Sequence, residues 1–315
     1  MPETPNYNIS PSFPVSGKIF CGWDSVLDEV ANKIKRSENN RYILIVECYQ
    51  GVYHDELLSN FLRLNPAKLI KSDDAFYPDE KIRELTFPDV TDDAIFGYMT
   101  RLNYHDFLDP KKVESLVSQI QNAIGLVIVY GFGASLLTQD YDCLVYADMA
   151  RWEIQLRQRR KEVNNLGITN KDEAPGIQYK RSFFVDWRVC DKQKQQLFDK
   201  ADYWLDTNKQ NEPKLITSQT LLDGLSEIVK SPFRLVPYFD PGPWGGQWMK
   251  DVCGLDKSKP NYAWSFDGVP EENSILFKIE DHIFETPAIN LVFYKSKELL
   301  GEQVESRFGK EFPIR

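Results

Sequence analysis

Apolar and polar residues alternate along the first two thirds of the chain in blocks typical of helices and strands. Residues 24–35 carry apolar side chains at helical spacing, and residues 42–46 form a continuous apolar run. Similar runs predict further strands at 67–71, 125–132, 142–149 and 201–207. Further helices are predicted at 55–64, 92–100, 110–122, 150–167 with Gly167 as C-cap, and 218–230. This alternation predicts an α/β fold with a parallel sheet covered by helices on both faces.

The pattern changes after Lys230, where proline, glycine and aromatic residues become frequent. Short apolar runs at 275–279 and 289–294 are strand-like and predict a β-rich unit. Residues 1–17 contain several prolines and few apolar anchors, which indicates an extended arm. The predicted organisation is therefore an arm over 1–17, an α/β domain over 18–230 and a β-rich segment over 231–315.

Charge and cysteine usage narrow the classes of function. The formal net charge of −9 argues against nucleic-acid binding, which needs a basic face, and against docking on an anionic membrane. Five scattered cysteines lack metal-ligand spacing and indicate reduced thiols. The chain starts without a secretory signal pattern and has no apolar stretch of about 18 residues. We therefore expect a cytoplasmic protein.

The segment between the first strand and the next helix lies where a phosphate-binding loop would be. A working loop reads G-x-x-x-x-G-K-[ST], with glycines that wrap phosphate, a lysine that neutralises it and a hydroxyl that holds magnesium. In ECYQGVYH, Glu47 replaces the first glycine, Tyr53 the lysine and His54 the hydroxyl residue, and only Gly51 remains to loosen the loop. The strand–loop–helix shape is therefore predicted without its phosphoryl-transfer chemistry.

Around this degenerate P-loop, residues 18–210 resemble the uridine kinase and phosphoribulokinase branch of P-loop kinases. The segment KSDDAFYPDE is similar to the loop whose aspartate positions the acceptor hydroxyl, and its Asp73 and Asp74 match that aspartate. The family's arginine-rich lid would correspond to Arg157, Arg159, Arg160 and Lys161. Tyr130 stands where the family has the acid of the magnesium-binding strand. The resemblance implies a parallel-sheet, kinase-like domain with a nucleotide or sugar phosphate as ligand.

Plainer interpretations of these residues stay open. Paired aspartates before an aromatic residue also form turns, and the arginines of residues 157–160 also suit a solvated helix face. His54 and His105 have no partners at ligand spacing and are also compatible with capping or surface roles.

The most distinctive string of the chain is FDPGPWGGQWM. With NYAWSFDGVPEENSILFKI it resembles the entry segment of class I mannose-6-phosphate isomerases, which are cupin-type, zinc-dependent enzymes of carbohydrate metabolism. The match covers 231–315 and is closest to a long form in which a kinase-like domain comes first. The scaffold positions that carry over are Trp244, Gly245, Gly246, Trp248, Asn273 and Ser274.

The same resemblance shows where this sequence departs from the family. No Gln-x-His-Pro motif occurs, and His282 is the sole histidine of 231–315, so no zinc site or catalytic residue is assignable. We expect the N-terminal portion of an isomerase-like protein, inactive alone, with zinc as cofactor only of the complete enzyme. We also expect a small appended sheet or hairpin over 270–315, with exposed apolar surface and self-association.

Two alternatives remain at this point. The first is a non-catalytic module, derived from a kinase, that binds a nucleotide or sugar phosphate through Gly51, Asp73, Asp74, Arg157, Arg159 and Arg160. The second is a kinase of unusual chemistry in which those arginines replace the missing lysine and Asp73 or Asp74 acts as base.

Overall fold

The computed structural model describes residues 12–35, 40–230, 251–252, 254 and 274–299. These residues form two β-sheets and the helices that cover them. Within these ranges no helix has both the length and the apolar character needed to cross a membrane.

The larger sheet has seven strands in the described part of the chain. They are β2 (Ile19–Cys21), β3 (Arg41–Cys48), β4 (Lys68–Lys71), β5 (Gly125–Gly131), β6 (Cys143–Asp148), β7 (Tyr203–Asp206) and β8 (Lys214–Thr217). Their order across the sheet is β2-β8-β7-β6-β3-β5-β4. From β4 to β7 the strands are parallel, and β8 and β2 continue the sheet in antiparallel pairing. The predicted α/β class with a mainly parallel sheet is confirmed.

Burial explains why the apolar runs form strands. All residues of β6, and all of β3 after the first, are buried. Successive side chains of a strand point to opposite faces, so both faces of the sheet centre are covered. The central strand β3 runs directly into residues 49–53, which places this loop at the carboxyl edge of the sheet, beside the end of β5.

Helices connect the strands. They are α1 (Gly22–Lys35), α2 (His54–Phe61), α3 (Asp79–Val90), α4 (Tyr104–Phe107), α5 (Pro110–Gln121), α6 (Arg151–Arg159), α7 (Pro175–Arg181), α8 (Trp187–Leu197) and α9 (Ser218–Val229). A π-helical turn, Ser182–Asp186, joins α7 to α8. The sequence pattern did not predict α3, α4, α7, α8, β2 or β8.

Two helix predictions are wrong. Residues 92–100 form no helix, because the Asp93 side chain accepts the backbone N–H groups of Ile95 and Phe96 and makes a local turn. The basic helix ends at Arg159, and Lys161 then adopts a positive φ of 59°. Gly167 is thus not a helix cap, and its φ of 70° lies in a connecting segment.

The second sheet joins the two ends of the described chain. Strand β1 (Ser12–Pro14) pairs in parallel with β9 (Ser274–Ile279), which forms an antiparallel hairpin with β10 (His282–Pro287). The hairpin expected over 270–315 is therefore present in its described part. Residues 289–294 were expected to form a strand, but they belong to helix α10 (Ile289–Leu299). Ile289 and Phe293, one helical turn apart, are buried, and this packing outweighs the strand propensity of the apolar run.

The hairpin packs on the α/β domain. The ring of Phe277 lies so close to Gly224 of α9 that a Cβ at Gly224 would be 2.7 Å from it. Ile275, Ile279 and Phe284 are buried as well. In the hairpin itself, the part of the expected segment that the structure describes, these apolar side chains are covered, and Ile283 is 36% exposed. Self-association and the division at residue 231 stay predictions, since residues 231–250 and 255–273 lie outside the described ranges.

Candidate ligand-binding cleft

A cleft of about 730 Å³ opens at the carboxyl edge of the parallel strands. Its walls come from three segments: residues 51–56 of the loop and α2, residues 73–79, and residues 162–171. Strands β4 and β6 lie on opposite sides of β3 and β5, so the chain changes direction across the sheet at this point. Ligands of open α/β sheets commonly bind at such a switch point.

The loop 49–53 is anchored by its own side chains. The Tyr49 hydroxyl donates to Asp191 over 2.8 Å. The Gln50 amide donates to the Asn164 carbonyl and accepts from the Trp187 indole, each over 3.0 Å. The side chains of Tyr49 and Gln50 therefore anchor the loop, whereas Gly51, Val52 and Tyr53 line the cleft.

Gly51 lines the cleft, and its conformation requires glycine. Its φ is +99°, and a Cβ would lie 2.7 Å from Ile154 of α6. The α6 side chains therefore press against the back of the loop, on the side away from the cleft.

Arg157 binds the same loop from outside the cleft lining. Its guanidinium donates to the Gly51 carbonyl over 2.8 Å and to the carbonyls of Thr207 and Asn208 over 2.7 and 3.1 Å. It also lies 3.7 Å from the centroid of the Tyr53 ring. The side chain is fully buried and does not line the cleft. Arg157 thus fixes the loop in this structure and does not face a ligand.

The other predicted lid arginines also lie outside the cleft lining. Arg160 forms ion pairs with Glu153 and Glu162, and the Arg159 guanidinium lies 5.0 Å from the Trp152 ring centroid. The arginines were expected to form a lid over the site. Residues 162–171 line this side of the cleft instead, and the sequence analysis did not identify them. Their signal in the sequence is the pair Asn164-Asn165, whose amides build the wall's hydrogen bonds.

This wall is held at both ends. The Asn165 amide donates to Ser182 and Asp186 of the π-helical turn, over 2.8 and 2.5 Å. Burial raises the pKa of Asp186 to about 6, against the lowering effect of Arg181 and these hydrogen bonds. At the other end the Thr169 N–H donates to Asp79 over 2.7 Å. The wall is therefore a fixed part of the domain in this structure.

Asp73 and His54 both line the cleft. Partial desolvation by the surrounding walls raises the pKa of Asp73, although His54 and a hydrogen bond from the Phe132 backbone oppose this. Burial lowers the pKa of His54, and its Nδ1 lies 2.8 Å from the Tyr130 hydroxyl. The buried Nε2 has no hydrogen-bond partner among the described residues. Asp74 is exposed and outside the cleft lining, so of the two predicted aspartates the structure brings only Asp73 to the site.

Glu47 occupies neither the cleft nor its rim. Its carboxylate accepts the N–H groups of Gly133 and Ser135 over 2.6 and 2.8 Å, in the buried turn after β5. Burial raises the pKa of Glu47 to about 7. Glu47, which the sequence comparison aligned with the first glycine of a P-loop, therefore stabilises a neighbouring loop and is not part of the cleft lining.

The charges of the cleft lining are unlike those of a polyphosphate site. Its acidic members are Asp55, Glu56, Asp73, Asp79 and Glu162, and its basic members are Lys112 and Lys171. The Lys112 ammonium already donates to the Phe76 carbonyl over 2.9 Å. Phe76, Tyr77 and Phe132 add aromatic surface. Within the described ranges no group of three or more His, Cys, Asp or Glu side chains is arranged to hold a metal ion.

The cleft and most of the large sheet lie inside a region that matches a family model. A search of the curated proteins finds no match to the chain. The model of a domain of unknown function, DUF8485, matches residues 22–230, which contain every cleft-lining residue, whereas β1 and the 274–299 segment lie outside the match. Since this match spans more than half of the chain, the chain belongs to the DUF8485 family.

Proposed function

We propose that this domain is a non-catalytic binding module whose cleft accepts a small molecule rich in hydroxyl groups. The observation that carries the proposal is the state of the loop 49–53. Its side chains anchor it inside the protein, Arg157 takes the Gly51 carbonyl, and Tyr53 stands where a kinase has lysine. Phosphoryl transfer needs a lysine and magnesium at this point to stabilise the transferring group.

The charge of the cleft favours an unphosphorylated ligand. Of the five carboxyl groups in the lining, Glu162 and Asp79 form ion pairs with Arg160 and Arg83. Asp55, Glu56 and Asp73 remain as acidic groups that would repel a polyphosphate. Carboxylates accept hydrogen bonds from sugar hydroxyls, and the aromatic side chains offer surface for a ring. Among the ligands that the kinase resemblance implies, a nucleoside or sugar fits better than its phosphate.

Calorimetry with a panel of nucleosides, sugars and their phosphates tests this proposal. We expect the neutral ligand to bind more tightly than its phosphate. Asp73→Asn should weaken binding about tenfold, the effect of losing a hydrogen bond to a charged group. Asp74→Asn is the matched control, since Asp74 is adjacent but outside the lining, and it should leave the affinity unchanged.

A kinase of unusual chemistry gives the opposite results. Tighter binding of a magnesium triphosphate, together with ADP release in the presence of any panel member, would overturn the proposal. If no panel member stabilises the protein at millimolar concentration, the proposed binding function fails and a structural role remains.

The resemblance of residues 231–315 supports a second proposal, that the chain is the front portion of a mannose-6-phosphate isomerase-like protein. Its motif residues Trp244, Gly245, Gly246, Trp248 and Asn273 lie outside the described ranges. Ser274, at the start of β9, is buried and donates to Glu285 over 2.6 Å, which fits a scaffold role. A coupled assay of the purified chain with added zinc and mannose 6-phosphate should give no turnover, and measurable turnover would contradict the assignment of the zinc site to another part of the protein.

A further inference from the structure

Two acidic residues, the buried Asp206 and the partly buried Glu285, lie where the hairpin of residues 274–287 contacts the large sheet. Asp206 ends strand β7, and Glu285 lies on β10. The Glu285 backbone N–H donates to Asp206 Oδ2 over 3.0 Å. The second oxygen of Asp206 accepts the N–H and the amide of Asn208, over 3.0 and 2.9 Å.

One cation faces this pair in the described part of the chain. The Lys214 ammonium, on β8, lies 3.7 Å from Asp206 Oδ2. The Ser274 hydroxyl donates to Glu285, while the charge of Glu153 on α6 acts against ionisation of Glu285. Two carboxylates thus share a single nearby lysine, and their simultaneous ionisation leaves one buried negative charge without compensation.

The hairpin is otherwise seated by specific contacts. Phe277 packs on Gly224 of α9. The Asn290 amide, at the start of α10, donates to Asp148 over 3.1 Å and to the Thr286 hydroxyl over 2.6 Å. These contacts define the docked position of the hairpin. The Asp206–Glu285 pair adds carboxyl groups that can gain or lose a proton.

A short chain of hydrogen bonds links this contact to the cleft. Asp206 fixes Asn208, and the carbonyls of Thr207 and Asn208 accept from the guanidinium of Arg157. The same guanidinium donates to the Gly51 carbonyl in the cleft loop. Displacement of the hairpin would free Asp206 to move and would loosen the residues that hold Arg157.

We propose that docking of the hairpin 274–287 is proton-dependent through the Asp206–Glu285 pair, and that docking orders the cleft loop through Asn208 and Arg157. The hairpin is then a regulatory element of the cleft, although it lies outside the DUF8485 match. This inference does not depend on the identity of a ligand.

The direction of the pH effect follows from burial. Burial, reinforced by the charge of Asp206, raises the pKa of Glu285 to about 7 from an ordinary 4.5, and burial also raises the pKa of Asp206. The docked state therefore holds a proton that the released state gives up. Docking is strongest in the acidic range and weakens as pH rises from about 4.5 through about 7. Between pH 6 and pH 8 the docking constant of the hairpin should therefore fall about tenfold.

Hydrogen exchange of the full chain tests both parts of the proposal. We measure protection factors, corrected for intrinsic exchange rates, for residues 275–287 and for helix α2 at pH 6 and pH 8. In the wild type both regions should lose about tenfold in protection at pH 8. Glu285→Gln keeps the size of the side chain but cannot ionise, so the pH dependence of both regions should disappear. Asp281→Asn, an exposed acid in the turn of the same hairpin, should behave as the wild type.

Each remaining outcome contradicts part of the proposal. Equal protection of the hairpin at both pH values, or a pH dependence that persists in Glu285→Gln, would overturn proton-dependent docking. A pH-dependent hairpin beside an unchanged α2 would overturn the link to the cleft. Asp206→Asn serves as a second variant: it removes the charge that reinforces the effect of burial on Glu285, so the pH response of the hairpin should become smaller.

Discussion

At the scale of single residues, the buried carboxylate of Glu47 gives the most direct test of the structure. Glu47→Ala removes the acceptor of two buried N–H groups, at Gly133 and Ser135. We expect a loss of about 3 kcal/mol in the free energy of unfolding, measured with urea. Glu84→Ala, at an exposed position of α3, should stay within about 0.5 kcal/mol. Similar losses in both variants would contradict the role of Glu47.

The raised pKa of Glu47 predicts that the free energy of unfolding depends on pH. Burial raises its pKa to about 7, above the ordinary 4.5, so the folded state binds a proton more tightly than the unfolded state. The contribution of Glu47 to stability should therefore fall as pH rises from about 4.5 to 7 and then level off. Urea unfolding of wild type and Glu47→Gln between pH 5 and 8 isolates this contribution as their difference. A difference that does not vary with pH would show that Glu47 is ionised throughout.

Gly51 is the second test at this scale. Alanine would add a Cβ 2.7 Å from Ile154 and would strain a φ of +99°. We expect Gly51→Ala to destabilise the protein by about 2 kcal/mol and to weaken ligand binding in the cleft. Gly176→Ala is the control, since Gly176 lies in α7 with open space around its Cα, and it should be neutral or stabilising by up to about 1 kcal/mol. Equal effects of the two variants would argue against a constrained loop.

At the scale of elements, Arg157 joins helix α6 to two loops. Arg157→Met keeps an apolar stem but leaves the carbonyls of Gly51, Thr207 and Asn208 without their donor. We expect a loss of about 3 kcal/mol in unfolding free energy and faster amide exchange in α2. Arg159→Met, two residues along the same helix but exposed, should cost less than about 1 kcal/mol. Comparable losses of stability in the two variants would indicate that Arg157 lies on a solvated helix face, as its sequence context also allowed.

The elements that were predictable from sequence are those whose own pattern decides their structure. Strands β3, β5 and β6 are apolar throughout because both faces of the sheet are covered, and their runs were visible. Residues 92–100 have an apolar content that suggested a helix, yet Ile95 and Phe96 are about 70% exposed, so no core packing supports one. Residues 289–294 suggested a strand, and only their neighbours in space make them helical.

The site was predictable in outline and not in detail. The sequence located the loop at Gly51 and the acidic segment that contains Asp73, because strand–loop–helix order places both at one edge of the sheet. It did not reveal that Arg157 points behind the loop, because direction around a helix depends on what the opposite face contacts. Lys112, Glu162 and Lys171 were missed, since single charged residues in connecting segments carry no pattern.

At the scale of the whole molecule, the 274–299 segment packs against the matched family region. Truncation after Lys230 would uncover Gly224 and would remove the partners that Asn290 and Glu285 give to Asp148 and Asp206. We expect the truncated chain to melt at a lower temperature and to bind a hydrophobic dye. Truncation after Leu299 is the control, because it keeps every contact described here. A chain ending at Lys230 that melts as the control does would show that the segment adds nothing to stability.

The parallel pairing of β1 with β9 has a consequence for synthesis on the ribosome. Ser12 lies opposite Leu276, so β1 has no partner until the chain has been synthesised as far as Leu276. At roughly 5–20 residues per second this wait lasts on the order of tens of seconds. During that time the central sheet can fold, while β1 and the face of α9 that receives Phe277 stay uncovered. The nascent chain is thus expected to need protection by chaperones at these two surfaces until residues 274–287 emerge and pair with β1.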